Sequence, residues 1–355
     1  MSEELVRLGV EGRTGVVTLN RPKALNALTH AMVRTIAAAL EGWEHDPGVS
    51  AVVLTGAGER GLCAGGDIRA IYEDARAGGT ASAAFWRDEY RLNARIARYP
   101  KPYVAVMDGI VMGGGVGVSA HGSVRIVTER SEIAMPETGI GFVPDVGGTY
   151  LLALAPGELG THLALTGAVV GARDALLCGL ADHFVPADEL AAFLAALRTE
   201  APAQVLPRHV REAPPGVLEH NRAWIDRCYA ADTVEEILDR LLASGVRAAE
   251  EAAATLLGRS PTALKVTLAS LRRARELGPL ERVLEQEYRV SCAALTSPDL
   301  VEGIRAQVID KDRDPRWRPG TPAEVTDTDV ARYFAPADDA GLSLAAAGSP
   351  QEVPW

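Results

Sequence analysis

The chain has 355 residues, enough for about two domains or for one large domain with an appendage. Hydrophobic residues make up 47% and charged residues 23%, a composition that is typical of globular proteins and excludes disordered, collagen-like and disulfide-framework classes. The formal net charge of -11 argues against a general nucleic-acid binder, because neutralising phosphates requires a surplus of cations. A local basic pocket for one phosphorylated small molecule remains compatible with this charge.

Strand and helix signals alternate through the first part of the chain. Short β-branched runs at Leu5–Val10 and Thr14–Leu19 flank Glu11-Gly12-Arg13 and predict a hairpin. Thr29 is a predicted N-cap for a helix whose apolar residues recur at helical spacing. Further strands are predicted at residues 49–55, 103–107, 124–128 and 133–135, and helices at 67–76, at 83–99 and, as a short one, up to about 121. Recurring strand, crossover and strand indicate an α/β fold.

Helical signals dominate from Ala187 onward. Ser260 and Pro261 have the residue types of an N-cap and a first-turn proline. The last twenty or so residues are rich in Ala, Gly, Pro, Ser and Asp, which is typical of a disordered tail. We predict an α/β core at residues 1–200, a helical C-terminal region at 201–330 and a flexible tail at 331–355.

Cysteines and apolar runs bear on the compartment. The four cysteines form no CxxC pair, so neither a zinc site nor a redox motif is indicated. The acidic start, Met1 to Glu4, lacks the basic-then-apolar order of a secretion signal. The most apolar long stretch, residues 102–120, carries Asp108 and five glycines and suits a buried strand and turn better than a membrane span. We predict a cytoplasmic protein with no membrane segment.

Two motifs suggest enzyme classes that their surroundings disfavour. The segment from Gly56 to Gly61 matches GxGxxG, but two more glycines follow where a helix should begin, and no acid ends a second strand about 20 residues on. Nicotinamide cofactors are therefore not expected. Ser119 and His121 resemble part of a nucleophile elbow, yet His121 stands where that motif needs its last glycine. We expect packing roles for both residues.

Two glycine clusters have a joint interpretation. Gly65-Gly66 and Gly113-Gly114-Gly115 each follow a predicted buried strand, where backbone N–H groups can point unpaired into a cleft. Two such groups can form an oxyanion hole. The second cluster also begins a helix, whose positive dipole end favours developing negative charge. Either cluster alone is better explained by a tight turn.

Two acidic residues lie in an apolar stretch of the sequence. Glu137 and Asp145 are each next to a proline, in a segment that is otherwise small and apolar. Burial without partners would raise their pKa values and suit them to proton transfer near neutrality. Taken alone, the segment is also compatible with two helix-capping acids.

Several motifs, in order along the chain, together resemble the crotonase superfamily of enoyl-CoA hydratases and isomerases. Within it, the chain is most similar to the hydrolases that act on 3-hydroxyisobutyryl-CoA. The resemblance runs from the first strand to about residue 330 and implies a crotonase-like α/β fold of repeated ββα units with a helical C-terminal region. The motifs that carry it are Asn20-Arg21-Pro22 with Asn26-Ala27-Leu28, Cys63 to Ile68, Gly109 to Gly117, Ala134 to Thr138, Phe142 to Gly148, Ala164 to Gly167, Thr233 to Ile237, Ser260 to Lys265, and Glu302 to Trp317.

The resemblance assigns roles residue by residue. Gly66 and Gly114 match the two backbone donors that hold the thioester oxygen. Glu137 matches a glutamate shared by hydratases and hydrolases, Asp145 an aspartate of the hydrolase branch, and Glu89 an acid that contacts the polar end of the substrate. The further substrate-binding residues that it implies are Ala64, Asp67, Ile68, Ala24 and Asn26. By loop position alone, Lys23, Arg21, Arg69 and Lys311 are candidates to bind the phosphates of CoA, although a plain surface charge is the more common role for such residues.

The implied activity is hydrolysis of the thioester of 3-hydroxyisobutyryl-CoA, or of the closely similar 3-hydroxypropionyl-CoA, in valine catabolism. Glu137 either attacks the carbonyl carbon or activates water, and Asp145 binds the 3-hydroxyl and helps a proton reach the leaving thiolate. No metal and no redox cofactor is required, and CoA enters as part of the substrate. The first catalytic glutamate of the hydratases falls at Gly117, which favours hydrolysis over hydration.

Alternatives and partners remain open. Enoyl-CoA hydration or isomerisation stays possible, because Asp145 lies near where some isomerases keep a carboxylate. A catalytically silent acyl-CoA binder is disfavoured by the presence of Glu137 and Gly114. RNA binding, seen in a side branch of the superfamily, is disfavoured by the net charge and by the few aromatic residues. A homo-oligomer, either a trimer or a hexamer, would be typical of the superfamily.

Overall fold

The computed structural model describes residues 4–336 and 341–344. It contains a six-stranded sheet and a second sheet of two short strands. The strands are β1 (Val6–Glu11), β2 (Thr14–Leu19), β3 (Ala51–Gly56), β4 (Tyr103–Met107), β5 (Ile110–Met112), β6 (Val124–Val127), β7 (Glu132–Ala134) and β8 (His183–Phe184).

The main sheet has the strand order β1-β2-β3-β4-β6-β8. The first two strands form an antiparallel hairpin, and every later pair in this sheet is parallel. In the small sheet, β5 pairs in parallel with β7. Strand β4 is buried along its whole length, as its continuous apolar sequence predicts. The α/β prediction is confirmed, with the six predicted strands placed within two residues at each end. The sequence patterns did not predict β5 or β8.

Sixteen α-helices lie within the described residues. Those that precede or cover the sheets are α1 (His30–Glu44), α2 (Ile68–Ala77), α3 (Ala81–Ala97), α4 (Gly114–Ser119), α5 (Gly148–Leu154), α6 (Leu159–Thr166), α7 (Ala172–Leu177) and α8 (Leu190–Leu197). The C-terminal helices are α9 (Pro202–His209), α10 (Leu218–Tyr229), α11 (Val234–Leu242), α12 (Arg247–Leu257), α13 (Pro261–Leu277), α14 (Leu280–Leu295), α15 (Pro298–Ile304) and α16 (Asp327–Arg332).

The predicted helix caps are present in the structure. The hydroxyl of Thr29 accepts a hydrogen bond from the amide of Met32 at the start of α1. The hydroxyl of Ser260 accepts one from the amide of Ala263 at the start of α13, where Pro261 is the first helical residue. Each side chain satisfies an amide that a helix start leaves without an intrahelical partner, so both helices begin where the sequence predicts.

The C-terminal helices pack against the sheet-bearing part. Helix α14 packs against α3, where the rings of Tyr288 and Tyr90 meet edge to face with centroids 6.4 Å apart. One hydrophobic cluster extends from Val17 in β2 to Leu284 in α14. The division of the chain near residue 200 stays a prediction, although the described secondary structure from Pro202 onward is helical apart from an isolated bridge between Arg211 and Phe184. The predicted tail, residues 331–355, lies mostly outside the described residues.

Candidate active site

A cavity of about 300 Å³ opens where the two glycine turns face the acidic segment. Its polar lining includes Glu89 from α3, Glu137 from the turn after β7, and Asp145 from the loop before α5. Arg259, which precedes α13, reaches the same cavity. Its apolar wall is built from Ile68, Ile71, Phe85, Trp86, Ile140 and Phe142. The rings of Trp86 and Phe142 stack with centroids 5.4 Å apart, so this wall is flat and rigid.

The two predicted backbone donors lie side by side at the cavity. Gly66 pairs with Leu28 in an isolated parallel bridge, in which the amide of Leu28 donates to the carbonyl of Gly65 and the amide of Asp67 donates to the carbonyl of Leu28. Gly114 is the first residue of α4. Among the described residues, no backbone carbonyl accepts from either amide. A Cβ atom built on Gly114 would lie 3.3 Å from the amide nitrogen of Gly66. The two N–H groups are therefore close enough to converge on one small atom.

Glycine is required at these turns for steric reasons. A Cβ atom on Gly114 would lie only 2.7 Å from Oε1 of Glu89, closer than real Cβ atoms approach a neighbour. Gly113 has a φ of 48° and a ψ of −120°, a conformation open almost only to glycine, and a Cβ atom there would stand 3.0 Å from Oε1 of Glu137. Both glutamate carboxylates thus lie directly against the second glycine turn.

The three acidic side chains of the cavity are buried, with Glu89, Glu137 and Asp145 exposed by 2%, 6% and 5%. One oxygen of Glu89 and one of Glu137 have no hydrogen-bond partner within the described residues. Buried polar atoms are normally paired, because an unpaired one forfeits its hydration. Two unpaired carboxyl oxygens on residues that line one cavity are therefore unusual, and they single out Glu89 and Glu137 as candidates for a role in the site.

Burial and mutual repulsion shift the titration of these acids. Burial raises the pKa of Glu89 well above its ordinary value, and the nearby charge of Asp145 raises it further. The pKa of Glu137 is raised in the same way, by burial first and by Asp145 second. Burial raises the pKa of Asp145 to about 7, although a hydrogen bond from Tyr90 opposes the shift. A group with a pKa near 7 can both donate and accept a proton at neutral pH.

Three polar residues of the site have no signal in the sequence. The hydroxyl of Tyr90 donates to Oδ2 of Asp145 over 2.7 Å. Arg259 donates to the carbonyl of Thr166, and burial lowers its pKa. Glu287, on α14, accepts hydrogen bonds from the loop that follows Asp145. Tyr90 is marked only by its place directly after Glu89, whereas Arg259 lies in the loop before α13 and Glu287 on α14, both far along the chain from the acidic segment.

Neighbouring residues occupy the space that a side chain at Gly117 would need. A Cβ atom built there would lie 2.6 Å from Cβ of Val146 and 3.0 Å from the side-chain nitrogen of Asn93. A glutamate at this position would therefore collide with the loop that carries Asp145. The site lacks not only the second acid of a two-glutamate arrangement but also the room for it.

Two of the other predicted substrate-binding residues line the cavity, namely Ala64 and Ile68. Three do not. Ala24 is exposed, and the amide of Asn26 is used to hold the loop, where it donates to the carbonyls of Ala57 and Gly61. Asp67 lines a smaller neighbouring cavity and pairs with Arg21 over 3.1 Å. Any contact of these three residues with substrate stays a prediction.

The suggested phosphate-binding cations differ in their surroundings. Arg21 is engaged by Asp67 and by the carbonyl of Ala27, and Arg69 donates to the carbonyl of Val308. Lys23 and Lys311 are exposed. Within residues 4–336 and 341–344, no cluster of three or more His, Cys, Asp or Glu side chains has the arrangement of a metal site. No helix in that part of the chain is long and apolar enough to cross a membrane.

Ser119 and His121 have the packing roles that the sequence predicts. The hydroxyl of Ser119 donates to the carbonyl of Gly115 within α4. Nε2 of His121 lies 2.7 Å from the carbonyl oxygen of Val146, and burial lowers the pKa of this imidazole to about 4. Neither side chain lines the cavity.

The fold and the paired glycine turns define a protein of the crotonase class. A family model described as enoyl-CoA hydratase/isomerase matches residues 14–334, and the chain belongs to that family. It is 44% identical to the mitochondrial 3-hydroxyisobutyryl-CoA hydrolase of Danio rerio, over 94% of this chain and 90% of that protein. The mitochondrial enzyme of the same name from Homo sapiens is 44% identical, over 93% of this chain and 88% of that protein.

Two crystal structures resemble the whole chain closely. A carnitinyl-CoA dehydratase from Mycobacterium thermoresistibile is 58% identical, with a TM-score of 0.94 over 96% of this chain and 99% of that one. An enoyl-CoA hydratase from Rhodobacter sphaeroides is 46% identical, with a TM-score of 0.90 over 96% of this chain and 100% of that one. The predicted crotonase fold, with its helical C-terminal region, is confirmed.

The predicted cytoplasmic location is wrong on this comparison. The curated relatives described above carry mitochondrial names, which point to a mitochondrial rather than a cytoplasmic location. The acidic N-terminus bore only on secretion, and that observation cannot separate the cytosol from an organelle.

Proposed function

We propose that the protein hydrolyses the thioester of 3-hydroxyisobutyryl-CoA to 3-hydroxyisobutyrate and free CoA. The observation that carries the proposal is the convergence of Glu137 and Asp145 on the two free amides of Gly66 and Gly114, in a chain 40–45% identical to enzymes of that name. A place in valine breakdown follows from this substrate.

The two amides act on the thioester carbonyl. When the carbonyl carbon is attacked, negative charge develops on its oxygen, and the N–H groups of Gly66 and Gly114 meet that charge as preorganised dipoles. Gly114 also begins α4, so the positive end of a short helix faces the same atom. Donors of this kind typically contribute about a hundredfold to a thousandfold in rate.

Glu137 supplies the carboxylate for the attack in its ionised form, which its raised pKa makes a stronger base than an ordinary carboxylate. It either bonds to the carbonyl carbon, which gives a mixed anhydride that water then cleaves, or removes a proton from an attacking water. Both routes use a carboxylate oxygen of Glu137, whose Oε1 lies against Gly113 of the second glycine turn. Asp145, with a pKa of about 7, is protonated often enough near neutrality to hand a proton to the leaving thiolate.

The acyl group lies at the acidic end of the cavity. Its 3-hydroxyl can donate to Glu89 or to Asp145, whose buried carboxyls line the same cavity as the glycine turns. Burying an unmet carboxyl is costly, so a substrate that lacks the hydroxyl binds less well. The apolar wall of Trp86 and Phe142 receives the methyl group. 3-Hydroxypropionyl-CoA lacks only that methyl, a difference worth about 1 to 3 kcal/mol. The reaction needs no metal and no redox cofactor.

Hydration or dehydration of an enoyl-CoA is the second candidate. The names of the two solved relatives favour it, since one is a carnitinyl-CoA dehydratase and the other an enoyl-CoA hydratase. The geometry at Gly117 opposes it, because Val146 fills the space that a second catalytic glutamate would need. We therefore rank hydrolysis first.

Side-by-side assays separate the two candidates. The purified protein is given 3-hydroxyisobutyryl-CoA and crotonyl-CoA, and free thiol and enoyl absorbance are followed. We expect thiol release from the first substrate only, and a loss of about a hundredfold to ten-thousandfold in Glu137→Gln. Glu276→Gln, an exposed acid on α13, is the matched control and should keep full activity. Loss of enoyl absorbance without thiol release would move the assignment to a hydratase.

A further inference from the structure

The loop that carries Asp145 has a backbone that cannot hold its shape alone. Val146 has a φ of 53°, in the left-handed region that β-branched residues avoid, and Gly147 follows with a φ of 79°. The carbonyl of Asp145 accepts a hydrogen bond from the amide of Gly148, which tightens the turn. Such a conformation persists only where neighbouring groups impose it. A second element must therefore restrain the loop.

Glu287 of α14 provides that restraint. Its Oε2 accepts from the amide of Gly147 over 2.6 Å, and its Oε1 accepts from the amide of Thr149 over 2.9 Å and from the Thr149 hydroxyl over 2.5 Å. The Glu287 side chain is 1% exposed and forms no ion pair within the described residues. A buried carboxylate whose two oxygens both bind one loop is well suited to fix that loop.

The surroundings of Glu287 are chemically connected to Asp145. Burial raises the pKa of Glu287 to about 8, the three donors oppose the shift, and the charge of Asp145 adds to it. Glu137 and Tyr90 also sense the charge of Glu287, and the imidazole of His121 binds the same loop at Val146. A glutamine at 287 would keep the shape but would offer only one acceptor oxygen, so one set of donors would lose its partner.

We propose that Glu287 is a positioning residue for the hydrolysis, which fixes the carboxyl of Asp145 by holding the two amides that follow it. The proposal rests on the proposed function, because Asp145 is there the group that serves the leaving thiolate. Tyr90 holds the carboxyl itself, and Glu287 holds the backbone behind it. Displacing a reacting group by about 1 Å can cost a hundredfold in rate, so the effect belongs in kcat rather than in binding of CoA.

The test compares Glu287→Gln with the wild type and with Glu276→Gln. We expect kcat for 3-hydroxyisobutyryl-CoA to fall by about tenfold to a hundredfold while KM changes by less than about threefold. Hydrogen exchange at the amides of Gly147 and Thr149 should become faster. Glu276→Gln should change none of these quantities.

Several outcomes would overturn the proposal. One is a folded Glu287→Gln with unchanged kcat and unchanged hydrogen exchange at the amides of Gly147 and Thr149. If Glu287→Gln does not fold, Thr149→Val removes a single donor and should show a smaller fall in kcat in the same direction, and an unaltered Thr149→Val enzyme would contradict the proposal. If the wild type releases no thiol, the proposed function fails, and amide exchange alone decides whether Glu287 holds the loop. Unchanged exchange would then refute it.

Discussion

Tyr90 governs Asp145 more directly than any other side chain of the site. Its hydroxyl donates to Asp145 and lies 2.8 Å from the hydroxyl of Ser291 on α14. Burial raises the pKa of Tyr90 well above its ordinary value, so the phenol keeps its proton and remains a donor through the neutral range. The hydrogen bond lowers the pKa of Asp145 and holds it near 7 against the effect of burial.

Tyr90→Phe should therefore move the pH profile. Without the donor, the pKa of Asp145 rises further, and Asp145 stays protonated to higher pH. We expect the alkaline limb of kcat to shift upward and the free energy of unfolding to fall by about 1 kcal/mol. Steady-state kinetics from pH 5 to pH 9 measure the shift. A profile that superimposes on that of the wild type would remove Asp145 from the proton transfer.

Helix α4 shows how an element can decide which chemistry is possible. All six of its residues are buried, and three of them are glycines. Its first residue presents an amide to the cavity, whereas Gly117 lies against the Asp145 loop. The small residues allow the helix to pass between the sheet and that loop, at the expense of the space that a longer side chain would need.

Two glycine-to-alanine substitutions test this packing. Gly117→Ala places a Cβ atom 2.6 Å from Cβ of Val146, and we expect it to lower the free energy of unfolding by about 1 to 3 kcal/mol. Gly42→Ala is the matched control, because Gly42 lies in α1 with nothing within 4 Å of the added atom. It should stabilise the protein by about 0.5 to 1 kcal/mol, since alanine is the better helix former. Urea unfolding measures both, and equal effects would contradict the packing argument.

At the scale of elements, the sequence predicts those strands and helix ends that depend on residues close together in the chain. The strands β1 to β4 and the caps Thr29 and Ser260 follow from short-range patterns, and the structure contains them. Strand β5 has only three residues, and its partner β7 lies about twenty residues further on, so no local periodicity marks it. Glu287 was missed for the same reason, because the amides that it binds are about 140 positions away. The glycines and acids were found because their composition is unusual where they stand.

The stability of the whole molecule depends on four buried carboxyls in and behind the cavity whose pKa values are raised, those of Glu89, Glu137, Asp145 and Glu287. The folded state holds protons on them that the unfolded state releases above a pH of about 4.5. Stability therefore falls as the pH rises towards the folded pKa values, which are about 7 for Asp145 and about 8 for Glu287. The site is assembled at a cost in stability.

The window from pH 6.5 to pH 8 isolates this effect. Below pH 6.5, the buried imidazoles of His121 and His162 act on stability in the opposite direction. Their pKa values are about 4 against an ordinary 6.5, so the protein loses stability as the pH falls through this range. Within the window, we expect the free energy of unfolding to decrease with pH, and the decrease to be smaller in Glu137→Gln, which cannot ionise. Urea unfolding at pH 6.5 and at pH 8 measures this free energy for both proteins. Parallel curves for the variant and the wild type would show that Glu137 titrates normally.

The hydrogen bond between Glu287 and the amide of Gly147 has a consequence for the synthesis of the protein. The two residues are separated by 140 positions. At about 5 to 20 residues per second, a ribosome needs about 7 to 28 s to travel between them. During that interval the nascent chain already contains Glu89, Glu137 and Asp145 but lacks the residue that secures the Asp145 loop. The active site is therefore completed only late in translation, and a chain that terminates before α14 should have no catalytic activity.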